Sequence, residues 1–266
     1  MPELPEVEAG RKLAEQAFAG QRIAAVYTVA DRVVYHKVPP RRLAAAISGR
    51  TVVAVHRKGK HLWMELDERP WPGFHFGMTG SFHAYTDNRD RPPYWKIEMV
   101  ADHGQRLAMV NKRRLGRIRL YKADPTREEP ICSLGFDPLC ELPATSVFTE
   151  IVGQRKTAIK ALLLDQSFAA GVGNWIADEV LYQAGVAPKR RADCLTDSEV
   201  RAIRSCLRRI VRRAVDVDAD AGRFPRSWLF HHRWRKKKSA TTAQGETIRF
   251  DTVGGRTTAW VPGRQV

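Results

Sequence analysis

The hydrophobic pattern of this chain changes period once, and that change limits what it can fold into. Between about residues 22 and 122, seven short runs stand out: RIAAVYTV, TVVAVHRK, HLWMEL, GFHFGMTGSFHAY, WKIEMVA, QRLAMVN and RIRLYK. They are rich in β-branched and aromatic residues, and Gly, Pro, Asp and Asn punctuate them. Between 146 and 215 the apolar residues recur every three or four positions instead, the spacing of a helix face. The first block predicts an antiparallel β-sandwich, preceded by a helix at 5–18 that Gly20 closes. The second predicts a helical domain. The fold class is therefore α+β and multidomain.

Residues 123–145 are rich in Pro and acid and read as a linker. This divides the 266 residues into 1–122, the linker, 146–222 and a tail at 223–266. The clearest helix is 197–214. Thr196 and Glu199 make a capping-box pattern, and Val200, Ile203, Leu207, Ile210, Val211 and Ala214 form one apolar stripe. Its other face carries Arg201, Arg204, Arg208, Arg209, Arg212 and Arg213 with no acid among them, which points to phosphate more than to a merely solvated face. In the tail, ETIRFDTV and RTTAWV flank Gly254–Gly255 and read as a β-hairpin. The preceding RFPRSWLFHHRWRKKK is basic with interleaved aromatics. Its RWRKKK stretch fits a nuclear address or a phosphate-binding segment equally well.

The formal net charge is +16, which implies a polyanionic partner, most simply nucleic acid. No apolar run approaches membrane-spanning length, and the acidic start lacks a signal-peptide core. An intracellular, monomeric protein is expected, in cytoplasm and nucleoid or in a nucleus. The four cysteines, Cys132, Cys140, Cys194 and Cys206, form no C-x-x-C pair, and none lies in the last sixty residues. A structural zinc is not expected. Cys206 falls on the apolar stripe and reads as core.

The opening MPELPEVE admits two readings. Pro followed by acids is ordinary helix-start chemistry. Alternatively, loss of Met1 would leave Pro2 with a secondary amine, able to attack C1′ of a sugar and form an iminium ion. Glu3 and Glu6 lie beside it, and Glu3 could move protons. Small tautomerases also use a terminal proline, but nothing else in the chain supports that comparison.

Eight strings in order carry a resemblance: PELPEVE, RKGKHL, HFGMTG, NKRRLG, LGFDPL, RKTAIKALLLDQ, GVGNWIADEVL and GGRTTAWV. The chain resembles the formamidopyrimidine-DNA glycosylase and endonuclease VIII family of base-excision repair, from Met1 to about Gly263. The resemblance implies a bifunctional glycosylase and abasic-site lyase that needs no cofactor. Its partner would be double-stranded DNA containing oxidised bases or abasic sites. Pro2 would be the nucleophile and Glu3 the proton relay. Lys60 and Arg256 would grip phosphate and assist β- and δ-elimination, and Glu6 would contribute to damage recognition. Met78, Arg113 and Leu115 would fill the hole left by the flipped base. Lys96, Arg114, Lys156 and Asn174 would hold DNA phosphates, the last pair on a helix–two-turn–helix element.

Two features depart from the family pattern. Leu115 stands where phenylalanine is usual. In the tail, KKKSAT and VPGRQ stand where many members place zinc-binding cysteine pairs, so the layout is that of a zincless finger, held by packing of Trp228, Phe230, Phe250 and Trp260. His231 and His232 lack partner ligands for a metal. The short acidic interval AVDVDADAGRFP replaces a long loop, which favours formamidopyrimidines and hydantoins over 8-oxoguanine. Two alternatives stay open. One is specificity for oxidised pyrimidines, against which Met78 and Arg113 argue. The other is a non-catalytic module that only binds damaged DNA.

Overall fold

A computed structural model describes residues 2–234 and 240–266. Met1 and most of the RWRKKK stretch lie outside the described residues. The chain forms two compact units, Met1–Ser133 and Leu134–Val266.

In the first unit, helix α1 (Leu4–Phe18) leads into eight strands: β1 (Ile23–Thr28), β2 (Val52–Lys58), β3 (His61–Leu66), β4 (Trp71–His75), β5 (Gly80–Tyr85), β6 (Trp95–Ala101), β7 (Arg106–Asn111) and β8 (Arg117–Tyr121). They make two four-stranded antiparallel sheets, ordered β1-β6-β7-β5 and β2-β3-β4-β8. Alternate residues of both sheets enter one core. Ile97, Met99, Leu107 and Met109 come from one sheet, and Leu62, Met64, Phe74 and Ile118 from the other. Val7, Ala14 and Phe18 of α1 join the same core.

The structure refines three readings. A helix, α2 (Pro40–Ile47), interrupts the strand region. Pro40 at its first turn and the i, i+4 pair Leu43 and Ile47, both buried, were the available signal. The run GFHFGMTGSFHAY is two strands, with a turn at residues 76–79 that carries Met78. The stretch 123–145, read as a linker, contains the boundary between the two units. Ile131 is buried against Trp63 and Tyr121 of the first unit, and the second unit begins at Leu134.

The second unit contains α3 (Thr145–Gly153), α4 (Ile159–Leu164), α5 (Asn174–Ala184) and α6 (Asp197–Asp216), then the hairpin β9 (Arg249–Val253) and β10 (Arg256–Trp260). The capping box of Thr196 and Glu199 opens α6, and the expected stripe is buried with Cys206. Gly254 and Gly255 both have positive φ, +58° and +69°, which a two-residue hairpin turn of this hand requires. Packing holds the tail partly as expected. Trp228 stacks on Trp175, Phe230 meets Trp175 and Phe224 edge-on, and Phe250 packs over Tyr182, Leu229 and Ile248. Trp260 instead lies half-buried, donating its indole N–H to Asp251 at 3.1 Å.

Packing is only half of that anchorage. Lys160 of α4 is fully buried, with Nζ 2.6 Å from Asp178 Oδ1 and 2.7 Å from Thr258 Oγ1 of β10. Arg233 reaches the other oxygen of Asp178 at 2.6 Å, and the Ala259 N–H donates to it at 3.1 Å. Burying a charge is costly unless it is paired and hydrogen-bonded, and here each charge has partners. Beside this triad, Glu179 accepts from the Phe230 N–H at 2.8 Å and from Gln183 at 2.6 Å. Burial pushes its carboxyl up to about 7.

Candidate active site

The N-terminal segment folds as helix-start chemistry. Glu3 is the N-cap of α1: its backbone N–H donates to Glu6 Oε2 at 2.9 Å, and its carboxylate accepts from the Glu6 N–H in return. This reciprocal box fixes the chain direction at Pro2, which is half-buried, and draws Glu3 under the surface to 2 % exposure. A carboxylate aimed at the first turn also meets the positive end of the helix dipole.

Two other elements grip the same helix. Arg57, at the end of β2, donates to Glu8 Oε2 at 2.8 Å and to the Gly59 carbonyl at 3.0 Å. Gly59 has φ +56°, so the tight turn 58–61 presents Lys60 from a hairpin tethered to α1. Glu8 lies five residues past Glu3, about 7.5 Å along the helix axis. On another side, Gly10 faces the Phe76 ring so closely that a Cβ there would sit 2.8 Å from it. Phe76 begins the turn that carries Met78.

Met78, Arg113 and Leu115 sit on adjacent turns, β4–β5 and β7–β8, and all three are exposed. Asn111 joins the turns. It is fully buried, donates Nδ2–H to the Phe76 carbonyl at 2.8 Å and accepts the Gly116 N–H at 3.0 Å. Gly77, at φ +65°, lies against the Leu115 carbonyl, where a Cβ would approach to 2.4 Å. His75 supports the first turn by accepting the Gly77 N–H at Nδ1, 3.2 Å. It pairs across the strands with His61, ring centroids 4.8 Å apart. Burial, then Lys60 and arginines 117 and 119, push His75 down to about 4. Burial, His75, Arg119 and Lys60 take His61 to about 3. Both imidazoles are therefore neutral near pH 7 and add no charge beside Lys60.

Lys96 and Arg114 meet at one acid. Lys96 Nζ is 2.9 Å, and Arg114 Nε 3.0 Å, from Asp31 Oδ2. These two donors and the N–H groups of Val33 and Val34 overcome desolvation and hold the Asp31 carboxyl far below the usual carboxylate range. The Lys96 side chain is 12 % exposed and that of Arg114 is 55 %. Lys96 is thus largely covered and tied to Asp31, while Arg114 on the same acid stays exposed.

In the second unit, Lys156 is exposed just before α4, and Asn174 opens α5. Asn174 Nδ2–H donates to the Thr257 carbonyl at 2.8 Å, and Lys160 donates to the same oxygen at 3.2 Å. That carbonyl follows Arg256, which is exposed at the start of β10. The turn before it rests on α4, with Gly254 against Ala161. Lys156, Asn174 and Arg256 are accordingly carried on three elements locked by hydrogen bonds. No group of three or more His, Cys, Asp or Glu suited to a metal occurs among the described residues. The hairpin segment has no cysteine to supply thiolates, so its donors do not fit the zinc that many proteins of the resembled family hold there.

Sequence reasoning missed Asp31, Asn111, and the Lys160–Asp178–Arg233 group with Glu179. Only the last left a signal. An Asp-Glu pair stands inside GVGNWIADEVL, apolar on every other face, and calls for buried partners.

Residues 1–118 match the family model for the formamidopyrimidine-DNA glycosylase N-terminal domain, and residues 134–225 match that for its H2TH domain. A formamidopyrimidine-DNA glycosylase from Arabidopsis thaliana is 41 % identical over 98 % of this chain and 70 % of its own length. One from Symbiobacterium thermophilum is 34 % identical over 81 % of the chain and 70 % of its own. The fold is also that of Lactococcus lactis formamidopyrimidine-DNA glycosylase non-covalently bound to DNA with an abasic site: TM-score 0.85, 24 % identity, 99 % of both chains covered. The class is that of the base-excision DNA glycosylases. Within it, the chain belongs to the formamidopyrimidine-DNA glycosylase family.

Proposed function

We propose that this chain excises oxidised purines from double-stranded DNA and then cleaves the abasic strand through a covalent intermediate at Pro2. Once Met1 is removed, the Pro2 nitrogen lone pair forms a bond to C1′ while the glycosidic bond breaks and the base leaves with a proton. The Glu3 carboxylate takes the proton that the Pro2 nitrogen sheds and delivers it to the ring oxygen as the C1′–O4′ bond breaks, and the nitrogen becomes an iminium. Loss of a C2′ proton then expels the 3′ phosphate, and a second elimination expels the 5′ phosphate. Lys60 and Arg256 hold these phosphates, Arg256 through the fork geometry that suits a bidentate anion. Met78, Arg113 and Leu115 occupy the vacated stack, with Arg113 reading the orphaned base. Glu6 keeps Glu3 in place and borders the damaged base. Arg114, steadied by Asp31 with Lys96, and Lys156 and Asn174 bind backbone phosphates. The finger works without zinc.

The observation that carries this reading is the head of α1. A buried carboxylate is fixed next to Pro2, and the hairpin of Lys60 is salt-bridged to the same helix. Two substitutions test it. Pro2→Gly is expected to lose strand cleavage on both damaged and abasic duplexes. Glu3→Gln is expected to lose base excision while still nicking abasic DNA. Full activity in Pro2→Gly would refute the role.

For the lesion, the interval after α6 is compact. Phe224 is buried against Trp175 and Trp228, which leaves little chain to fold over a base. Formamidopyrimidine opposite cytosine is expected to be excised faster than 8-oxoguanine in single-turnover assays; the reverse order would contradict this. The protein's compartment is proposed to be wherever its DNA is, nucleoid or nucleus.

A further inference from the structure

Helix α6 carries an arginine face that the reaction described above does not use. Arg208, Arg209, Arg212 and Arg213 are exposed, and Arg204 is half-buried. None of these five has a carboxylate partner among the described residues. Arg204 donates to the Pro143 carbonyl, Arg209 to Gln183, and Arg213 only weakly, at 3.4 Å, to the Arg223 carbonyl. Arg201 has one long contact to Asp197, 3.9 Å.

Helix α1 shows the ordinary solution. There Arg11 lies between Glu8 and Glu15, three and four residues away, and bonds to both. On α6 the same spacings put arginine beside arginine: 204 with 208, 208 with 212, and 209 with 213. Like charges at i, i+4 repel and disfavour the helix. Each strip repeats about every 6 Å along the axis. The strip of Arg209 and Arg213 opens on a cleft of about 650 Å³ that Arg264, Ser227 and Trp228 also line.

This face is separate from the phosphate contacts proposed at the start of α5. Arg209 bonds to Gln183, nine residues and about 13 Å along α5 from Asn174. The cleft likewise sits beside Tyr182 and Gln183, at the C-terminal end of that helix.

We propose that the arginine face of α6 is a second nucleic-acid surface, binding the phosphate backbone of duplex outside the segment that occupies the reaction site. Guanidinium forks match phosphate oxygens, and a regular row of them suits a regular row of anions better than it suits a folded acidic protein surface. Such a surface keeps the protein on undamaged DNA between lesions without reading sequence.

The test uses the full chain and the triple variant R208Q/R209Q/R212Q. Binding to an undamaged duplex of about 40 base pairs is followed by fluorescence anisotropy over a salt series. Each engaged arginine contributes about 0.9 to the slope of log K against log salt. The Gln variant is therefore expected to have a slope shallower by about 1 to 3 and roughly tenfold or more weaker binding at low salt. The Lys counterpart, R208K/R209K/R212K, is expected to keep the slope, which separates charge from folding. Single-turnover excision from a short lesion duplex is expected to be equal in all three proteins. An unchanged slope in the Gln variant would overturn the proposal and leave the face to an acidic protein or to solvent. A matching loss of excision would also overturn it, by placing α6 inside the reaction interface.

Discussion

Two regions of this molecule hold their turns in place by opposite means. The turns of Met78 and Arg113 in the first unit are joined by a neutral side chain, the fully buried amide of Asn111, and by glycines that let backbone touch backbone. The finger hairpin in the second unit is seated on buried ions, Lys160, Asp178 and Arg233. On the function proposed above, a neutral clamp suits turns that carry the apolar tips of Met78 and Leu115, because the clamp itself adds no charge to desolvate beside them. An ionic seat suits a hairpin with little core beneath it: one carboxylate bonds to α4, to the segment before the hairpin and to β10 together. The difference is in tolerance. Deleting one ion leaves the others buried and uncompensated, whereas deleting an amide leaves two unpaired dipoles.

The largest effect should therefore follow Asp178→Ala. About 3–5 kcal/mol is expected to be lost from the second unit, with fast hydrogen exchange across β9 and β10 while the first unit keeps its protection. Equal loss of protection in both units would dissolve the contrast. Asn111→Ala should cost about 1–3 kcal/mol in the first unit. Its sharper readout is a slower insertion step at unchanged abasic-DNA trapping, followed by a fluorescent base analogue opposite the lesion.

A smaller effect is a pH dependence of opposite sign in the two units. His61 and His75, depressed to about 3 and 4, stay neutral in the fold while the unfolded chain takes up protons below about 6.5. The first unit should thus lose stability as pH falls from about 7 to 5. Glu179, raised to about 7, keeps its proton in the fold where the unfolded carboxyl has lost it. Its contribution is complete below about 4.5 and is lost as pH rises to 7, so the second unit should gain over the same acid step. Separate thermal transitions at pH 5 and pH 7.5 check both signs. The smallest change expected is from Leu115→Phe, which restores a stacking ring on the second turn. It should tighten binding to abasic duplex by a few-fold at most, about 1 kcal/mol.

Most of the strands and five of the helices could be read from the sequence because their periods are local. Helix α2 was hidden by its shortness, eight residues among strands. The turns of Met78 and Arg113 could be located from Gly77, Gly80 and Gly116, but not the amide that joins them, because Asn111 ends a strand and its partners are backbone atoms. Lys96 read as a phosphate contact. Its acid, Asp31, is 65 residues away and no pattern connects the two. The seat of the finger was half-legible: its aromatics announced packing, while the ion triad needed α4, α5 and the segment of Arg233 in place. Sequence pattern carries periodicity and punctuation well, and carries long-range polar pairing hardly at all.

The most direct test concerns Pro2 itself. The purified protein would be reduced with borohydride on an abasic duplex, digested, and the crosslinked peptide sequenced by mass spectrometry. The account predicts a deoxyribose remnant on the nitrogen of Pro2 in a chain that has lost Met1. A remnant on Lys60 or another lysine, or an adduct-free chain that retains Met1, would contradict it.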